Sequence, residues 1–238
     1  QKNQGLGAAR NTGLEAAKGR YVWFFDGDDF APTRAVTRIV RALSETSADV
    51  LVVDFTCADE AGHPIDWIGC PFGPDHGKVL SGPEFFSRYF ATTYAWTYIV
   101  KRDLLVRNGL RFQPRINMQD AELLPRVLAL ASSVLVSGIP AYVYVKRKKS
   151  FINSGNPQVR EQYFLSVLEV YERLGAFREQ VTDPVMRRAM DSKLESVERI
   201  VMMAFVYDSL TRQARTSRLR AMRASSIFPF RQISGTSV

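Results

Sequence analysis

Cysteine is scarce: Cys57 and Cys70 are the only two in 238 residues. Two thiols in a chain of this size make no disulfide framework, so a small stapled scaffold is excluded and a reducing compartment is the simpler reading. Neither lies in a C-x-x-C pattern, which argues against a zinc site. Long apolar runs are missing too. The longest, IVMMAFVY at Ile200 to Tyr207, is too short to span a bilayer. No signal peptide, internal repeat or low-complexity block is visible. Acid is in deficit: 24 Asp+Glu against 32 Lys+Arg leave a net charge of +8. That balance favours an anionic partner, whether nucleic acid, a phospholipid surface or a phosphorylated small molecule. With 46% hydrophobic and 24% charged residues, the chain has enough apolar material for a full core, which excludes disorder and collagen.

The apolar patterns alternate in kind. Leu6 to Ala17 suits a short helix ended by Lys18-Gly19. Tyr21 to Phe25, YVWFF, is an apolar aromatic run of the sort buried in parallel sheets. Thr33 is placed to cap a helix reaching about Ser44, and DVLVVDF at Asp49 to Phe55 is a second buried strand. Helix, strand, helix, strand predicts α/β layering. Residues 56–78 read as an irregular excursion with a short hairpin. Helices are expected at Gly82 to Phe90 and Asp120 to Ala131, with separate strands at Val134 to Val136 and Ala141 to Val145. From Pro157 the spacing turns to long helices, with Val185, Ala189, Leu194, Val197, Val201 and Phe205 at helical intervals.

The densest chemistry is the segment YVWFFDGDDF. An apolar strand delivers Asp26, Asp28 and Asp29 to its carboxyl end, the edge of an α/β sheet where ligands bind. Three crowded carboxylates need a cation or strong donors, and Mg²⁺ or Mn²⁺ held by one or two of them plus substrate phosphates answers that need. A solvated acidic turn is the plainer alternative. Upstream, Gly5-x-Gly7 alone is no dinucleotide fingerprint, because the preceding strand, third glycine and later acid are not visible. It reads better as a turn feeding a helix that carries Arg10 and Asn11. Arg10 then faces either a phosphate or ribose, or a nearby carboxylate.

Together these segments form A-A-R-N-x-G-L-x-x-A-x-G-x-Y-V-x-F-x-D-x-D-D, from Ala8 to Asp29. The run resembles the inverting glycosyltransferases of family 2. Three later segments occur in the family's order: TYAWTYIVKRDLL with Trp96, NMQDAELLPRVLA with Asp120, and AYVYVKRKKS with Tyr142, Tyr144, Arg147 and Ser150. The resemblance implies a GT-A fold, that is, an α/β Rossmann-like sheet binding a nucleotide-diphosphate sugar, here incomplete at the N-terminus. It places a partial GT-A domain at residues 1–154 and a C-terminal helical region at 155–238.

The resemblance also implies roles. Asp28 coordinates the divalent metal, Mn²⁺ or Mg²⁺, on the donor diphosphate, and Asp26 shares the metal or reaches the donor ribose. Asp29 is a third acid with a structural role. Arg10, Arg147 and Ser150 are donor contacts, with a solvated basic edge at Lys146 to Lys149 as the alternative for Arg147, and Trp96 is a stacking platform for the acceptor or else a core tryptophan. Asp120 is the base that takes the proton of the acceptor hydroxyl. The residue before it is Gln119 where the family has Glu, so a charge is lost and a weaker base is expected. The implied partners are a nucleotide-sugar donor and a glycan or lipid-linked acceptor.

Two rival classes remain from the residues. A haloacid-dehalogenase-type phosphatase also puts D-x-D after an apolar strand, but no G-D-x-x-x-D follows Asp29. A basic binding module would use Arg212, Arg215, Arg218, Arg220 and Arg223. Without interleaved aromatics that stretch argues against nucleic acid and suits an anionic membrane surface or a solvated face. With the resemblance, this gives a cytoplasmic enzyme at the inner face of the membrane. The chain opens at Gln1, on residues that fall about a third of the way into a GT-A domain. The expectation is therefore the C-terminal portion of a longer enzyme, poorly active alone, with an exposed sheet edge.

Overall fold

The computed structural model describes residues 4–147, 156–208, 211–225 and 227. Its centre is β2 (Val50–Ala58), whose apolar run divides by parity between two cores. Val50 and Val52 enter one and Leu51 and Val53 the other. A strand covered on both faces reads as continuous hydrophobic sequence rather than as an alternation. β2 pairs in parallel with β6 (Val134–Val145) and antiparallel with β5 (Tyr98–Lys101). The sheet is completed by β1 (Tyr21–Trp23) beyond β5 and β4 (Val79–Leu80) beyond β6, giving the order β1-β5-β2-β6-β4. β3 (Pro64–Ile65) forms a short hairpin with the end of β2.

Helices cover both faces. On one lies α2 (Ala35–Thr46), with Ala35, Ile39 and Leu43 against Leu51, Val53, Ile99 and Leu135. On the other lie α1 (Leu6–Ala16), α3 (Gly82–Tyr89) and α5 (Gln119–Leu130), while α4 (Arg102–Arg107) follows β5 directly. Three further helices follow: α6 (Pro157–Gln180), α7 (Pro184–Tyr207) and α8 (Arg212–Ala224). Phe164, Val170, Met190 and Val197 share one buried cluster with Phe85, Phe86 and Leu123. The later helices thus complete the core over α3 and α5, and the domain boundary expected near residue 154 lies outside the described residues.

Local chemistry sets the helix starts. Ser81 and Glu84 form a reciprocal capping box at α3. Asn156 and Asp183 accept from Gln158 N and Met186 N, each followed by Pro at the first helical position. Four sequence expectations need correction. Thr33 does not cap α2; Arg34, in the left-handed region at φ 68°, precedes it without a side-chain cap. β1 is an antiparallel edge strand, not a parallel one, because its partner is the return strand β5. Ser137-Gly138 does not break the chain into two strands. Gly138 takes φ 63°, the register with β2 slips, and Ser137 Oγ donates to Val52 O at 2.8 Å, so one strand continues through the irregularity. Finally, Arg218 is buried, bonding Glu161 and Asp208 at 2.8 Å each, so it is not part of a solvated basic face.

β1 ends the sheet, and no strand among the described residues pairs with its outer edge. An open apolar cleft of about 420 Å³ lies beside it, lined by Tyr21, Trp23, Val36 and Val40. No helix among the described residues is long and apolar enough to cross a membrane.

The start of α3 is the tightest helix approach. A Cβ on Gly82 would lie 1.8 Å from Leu128 O and 2.8 Å from Ala131 O, backbone atoms at the end of α5. Gly82→Ala is expected to destabilise by ~2 kcal/mol or more. Chemical denaturation checks it, and an unchanged midpoint would contradict this packing.

Candidate active site

The Asp26–Asp29 loop leaves the carboxyl end of β1 and is pinned to β6. Phe30 N and O bond Val143, and Asp29 accepts from Val145 N at 2.8 Å and from the Tyr142 hydroxyl. Burial pushes the Asp29 carboxyl above its ordinary value, against the two hydrogen bonds. Asp29 therefore fastens the loop to the sheet. The crowding of three carboxylates is resolved by giving each its own partner. Asp26 Oδ1 accepts from Arg10 Nη2 at 2.7 Å. Asp28 points outward with its side chain 60% exposed, and meets Arg147 Nε at 3.2 Å. Arg147 also donates to Asp28 O at 2.9 Å. This exposed pair is weak enough to open for a competing anion or cation.

Arg10 is the hub of the site. Its side chain is 8% exposed, and the guanidinium lies 5.2 Å from the Phe112 ring centroid. Gln119, with its amide oriented to satisfy both ends, donates to Ile116 O at 2.9 Å and accepts from Arg10 Nη1 at 3.1 Å. Arg10 thus joins the carboxylate loop to the start of α5. Of the two partners expected for Arg10, the structure pairs it with a carboxylate, Asp26. Asn11 has an equally structural place, trading two bonds with the backbone of Phe112 at 2.8 and 2.9 Å. Gly7 lets α1 approach the same segment, since a Cβ there would meet Gln113 O at 2.6 Å.

Asp120 sits in the first turn of α5, half-buried, accepting from Ala121 N at 2.9 Å and from Ala95 N at 3.4 Å. Burial pushes its carboxyl above the ordinary carboxylate value; Arg10, the two backbone donors and Lys193 pull the other way. Lys193, on α7, was not foreseen as part of this region, and its position in a late amphipathic helix gives no sequence signal for it.

Trp96 occupies a core position. It is 5% exposed, stacked on Tyr142 at 4.3 Å and on Tyr94 at 5.1 Å, and its backbone oxygen accepts from Trp23 Nε1 at 2.8 Å. With both faces covered it supports the site from below and offers no open platform. The aromatic surface nearer solvent is Trp67, tilted against Tyr144 at 5.3 Å with Lys146 Nζ 4.5 Å from its ring centroid. Ser150 lies outside the described residues. Cys57 and Cys70 are free thiols. Among the described residues no group of three or more His, Cys, Asp or Glu is arranged to hold a metal. A metal would fit here as an ion held by one or two carboxylates of the loop together with a ligand's own oxygens.

Residues 1–101 match the family described as glycosyl transferase family 2. The chain is 26% identical over 192 residues to a cholesterol galactosyltransferase of Borreliella burgdorferi, covering 75% of this chain and 52% of that protein. It is 34% identical over 128 residues to the uncharacterized glycosyltransferase YibD of Escherichia coli, covering 50% and 36%. The chain thus spans about half or less of the length of these relatives. In fold it is similar to S. aureus TarS 1-349 in complex with UDP-GlcNAc, with a TM-score of 0.69 and 16% identity over 95% of this chain and 63% of that one. The fold is that of the GT-A glycosyltransferases, with a helical C-terminal portion. The phosphatase alternative is not favoured.

The Arg10 bridge yields a prediction. Arg10→Met is expected to cost about 2 kcal/mol, less than for a fully buried pair because Asp26 keeps some access to water. Arg10→Met with Asp26→Asn is expected to recover part of that loss. Denaturation of the four forms tests it; strictly additive losses would show that the pair does not couple.

Proposed function

From the premise that residues 1–101 carry a family 2 glycosyltransferase domain, we propose that this chain is the catalytic part of an inverting enzyme. It moves a sugar from a nucleoside-diphosphate donor to a hydroxyl of a glycan or lipid-linked acceptor. The observation that carries this reading is the joining, through Arg10, of an outward carboxylate loop to Gln119, the residue before the half-buried Asp120 on α5.

Asp28 and Arg147 form the donor side. Their mutual pair is exposed, so Arg147 exchanges Asp28 for diphosphate oxygens at low cost. Asp28 is the protein carboxylate that would hold Mn²⁺ or Mg²⁺, which when bound offsets charge on the departing diphosphate. Asp26, tied to Arg10, orients the loop and leaves one carboxylate oxygen for a ribose hydroxyl or the ion.

Asp120 forms the acceptor side. An acceptor hydroxyl is a poor nucleophile near neutral pH, and a carboxylate within hydrogen-bond reach takes its proton as the new bond forms. Burial makes Asp120 a better proton acceptor than a solvated carboxylate. One base and one direct displacement invert the anomeric centre.

The reading is tested first by a thermal-shift screen of nucleoside diphosphates and nucleotide sugars with and without Mn²⁺, in which a bound ligand raises the transition. Absence of any shift would count against it. Asp28→Asn is expected to weaken donor binding and remove its dependence on the ion. Asp120→Asn is expected to leave donor binding intact and to lower turnover by about 100-fold or more. The Asp120 carboxyl lies above its ordinary value, so turnover should fall as pH drops through that raised value, at a higher pH than for a solvated carboxylate. Undiminished turnover in Asp120→Asn would remove it as base.

A further inference from the structure

We propose that Lys193 is a positioning residue for Asp120, a buried cation from α7 that holds the carboxylate ionised for its proton transfer. This rests on the reading of Asp120 as the base. Lys193 is 3% exposed, and its Nζ donates to Thr93 Oγ1 at 3.1 Å. That is its one hydrogen-bond partner among the described residues for a group with three N–H donors, and a buried ammonium so sparsely bonded is costly unless an anion lies close. Thr93 is itself buried, and two residues on, Ala95 N donates to Asp120 Oδ2. One short segment therefore carries a contact to the lysine and a contact to the carboxylate.

The charges around Asp120 come from several elements. Arg10 of α1 faces it but is committed to Asp26 and Gln119. Tyr94 and Tyr98 also feel its charge, and burial pushes both hydroxyls up, so they stay neutral. On α5 itself, Glu122 is bonded to Arg126 at 2.7 Å. Lys193 is the cation in this set with no carboxylate hydrogen bond among the described residues. Burial pulls its ammonium down to about 8 and the Asp120 charge opposes that, so the ammonium remains mostly protonated at neutral pH.

The test follows the Asp120 side-chain carboxyl by ¹³C NMR across pH in the wild-type protein, Lys193→Met, Lys193→Arg and Thr93→Val. In Lys193→Met the Asp120 midpoint is expected to rise by about one pH unit. Lys193→Arg should keep it near the wild-type value, and Thr93→Val should shift it upward by less. Asp29, pinned elsewhere, serves as the internal control. An unmoved Asp120 midpoint in folded Lys193→Met would overturn the proposal; if that variant does not fold, an unmoved midpoint in Thr93→Val does so. The result is separable from the base assignment. A moved midpoint with full turnover in Asp120→Asn would keep the pairing and reject the base. An unmoved midpoint with lost turnover would do the reverse.

Discussion

The Arg10 guanidinium is the constraint on which the site depends. It is a buried charge, and a buried charge must be paired and hydrogen-bonded to be tolerated. Asp26 supplies the charge, Gln119 a neutral acceptor and Phe112 an aromatic face. Because these partners come from the loop after β1, the start of α5 and the segment before it, satisfying one guanidinium fixes three parts of the chain against α1. A Glu at position 119 would also bind Arg10, but would add a second negative charge beside Asp120. Gln119 keeps the bond without that charge. The local charges then balance as Arg10 and Lys193 against Asp26 and Asp120.

With Asp26 held by Arg10 and Asp29 held by Tyr142 and Val145, the carboxylate loop has one acid left to face solvent. The same loop thus separates anchoring from solvent exposure by residue, not by region. The aromatic layer under it works in the same direction. Tyr94, Trp96 and Tyr142 stack in sequence, and the Tyr142 hydroxyl ends on Asp29. The stack gives the loop a rigid floor, so the position of Asp28 follows from packing some distance beneath it.

The layered α/β class was legible because DVLVVDF reads as a buried strand, while YVWFF yields only the short, half-buried β1 with Phe25 exposed beyond it. The carboxylate loop was legible because three acids follow one of them directly. Pairing direction was not, since a strand covered on both faces has the same pattern beside a parallel or an antiparallel neighbour, and β1 proved antiparallel. Arg10 and Trp96 stayed open between ligand and structural uses because arginine and tryptophan serve both sites and cores. Their burial depends on Phe112 for Arg10 and on Tyr142 for Trp96, residues distant in sequence. Ser137-Gly138 looked like a strand break because the sequence shows the glycine but not the neighbouring strand that carries the irregularity.

The late helices are the strongest case of information absent from local sequence. Their apolar spacing predicted that they pack on something, and they do complete the core over α3 and α5. That spacing assigns Lys193 to no particular use, because a lysine between apolar positions is ordinarily solvated. In this fold α7 packs against α3, so the lysine enters the layer beside Thr93 and loses water. A buried ammonium is a cost to folding, and the cost is tolerable where a carboxylate is buried nearby. On the reading of Asp120 as the base, the desolvation that strengthens it as a proton acceptor also favours its protonation at rest. A cation at a fixed distance opposes the second effect while leaving the carboxylate out of bulk water. A helix whose spacing marks it only as packing material thereby becomes part of the electrostatics of the site.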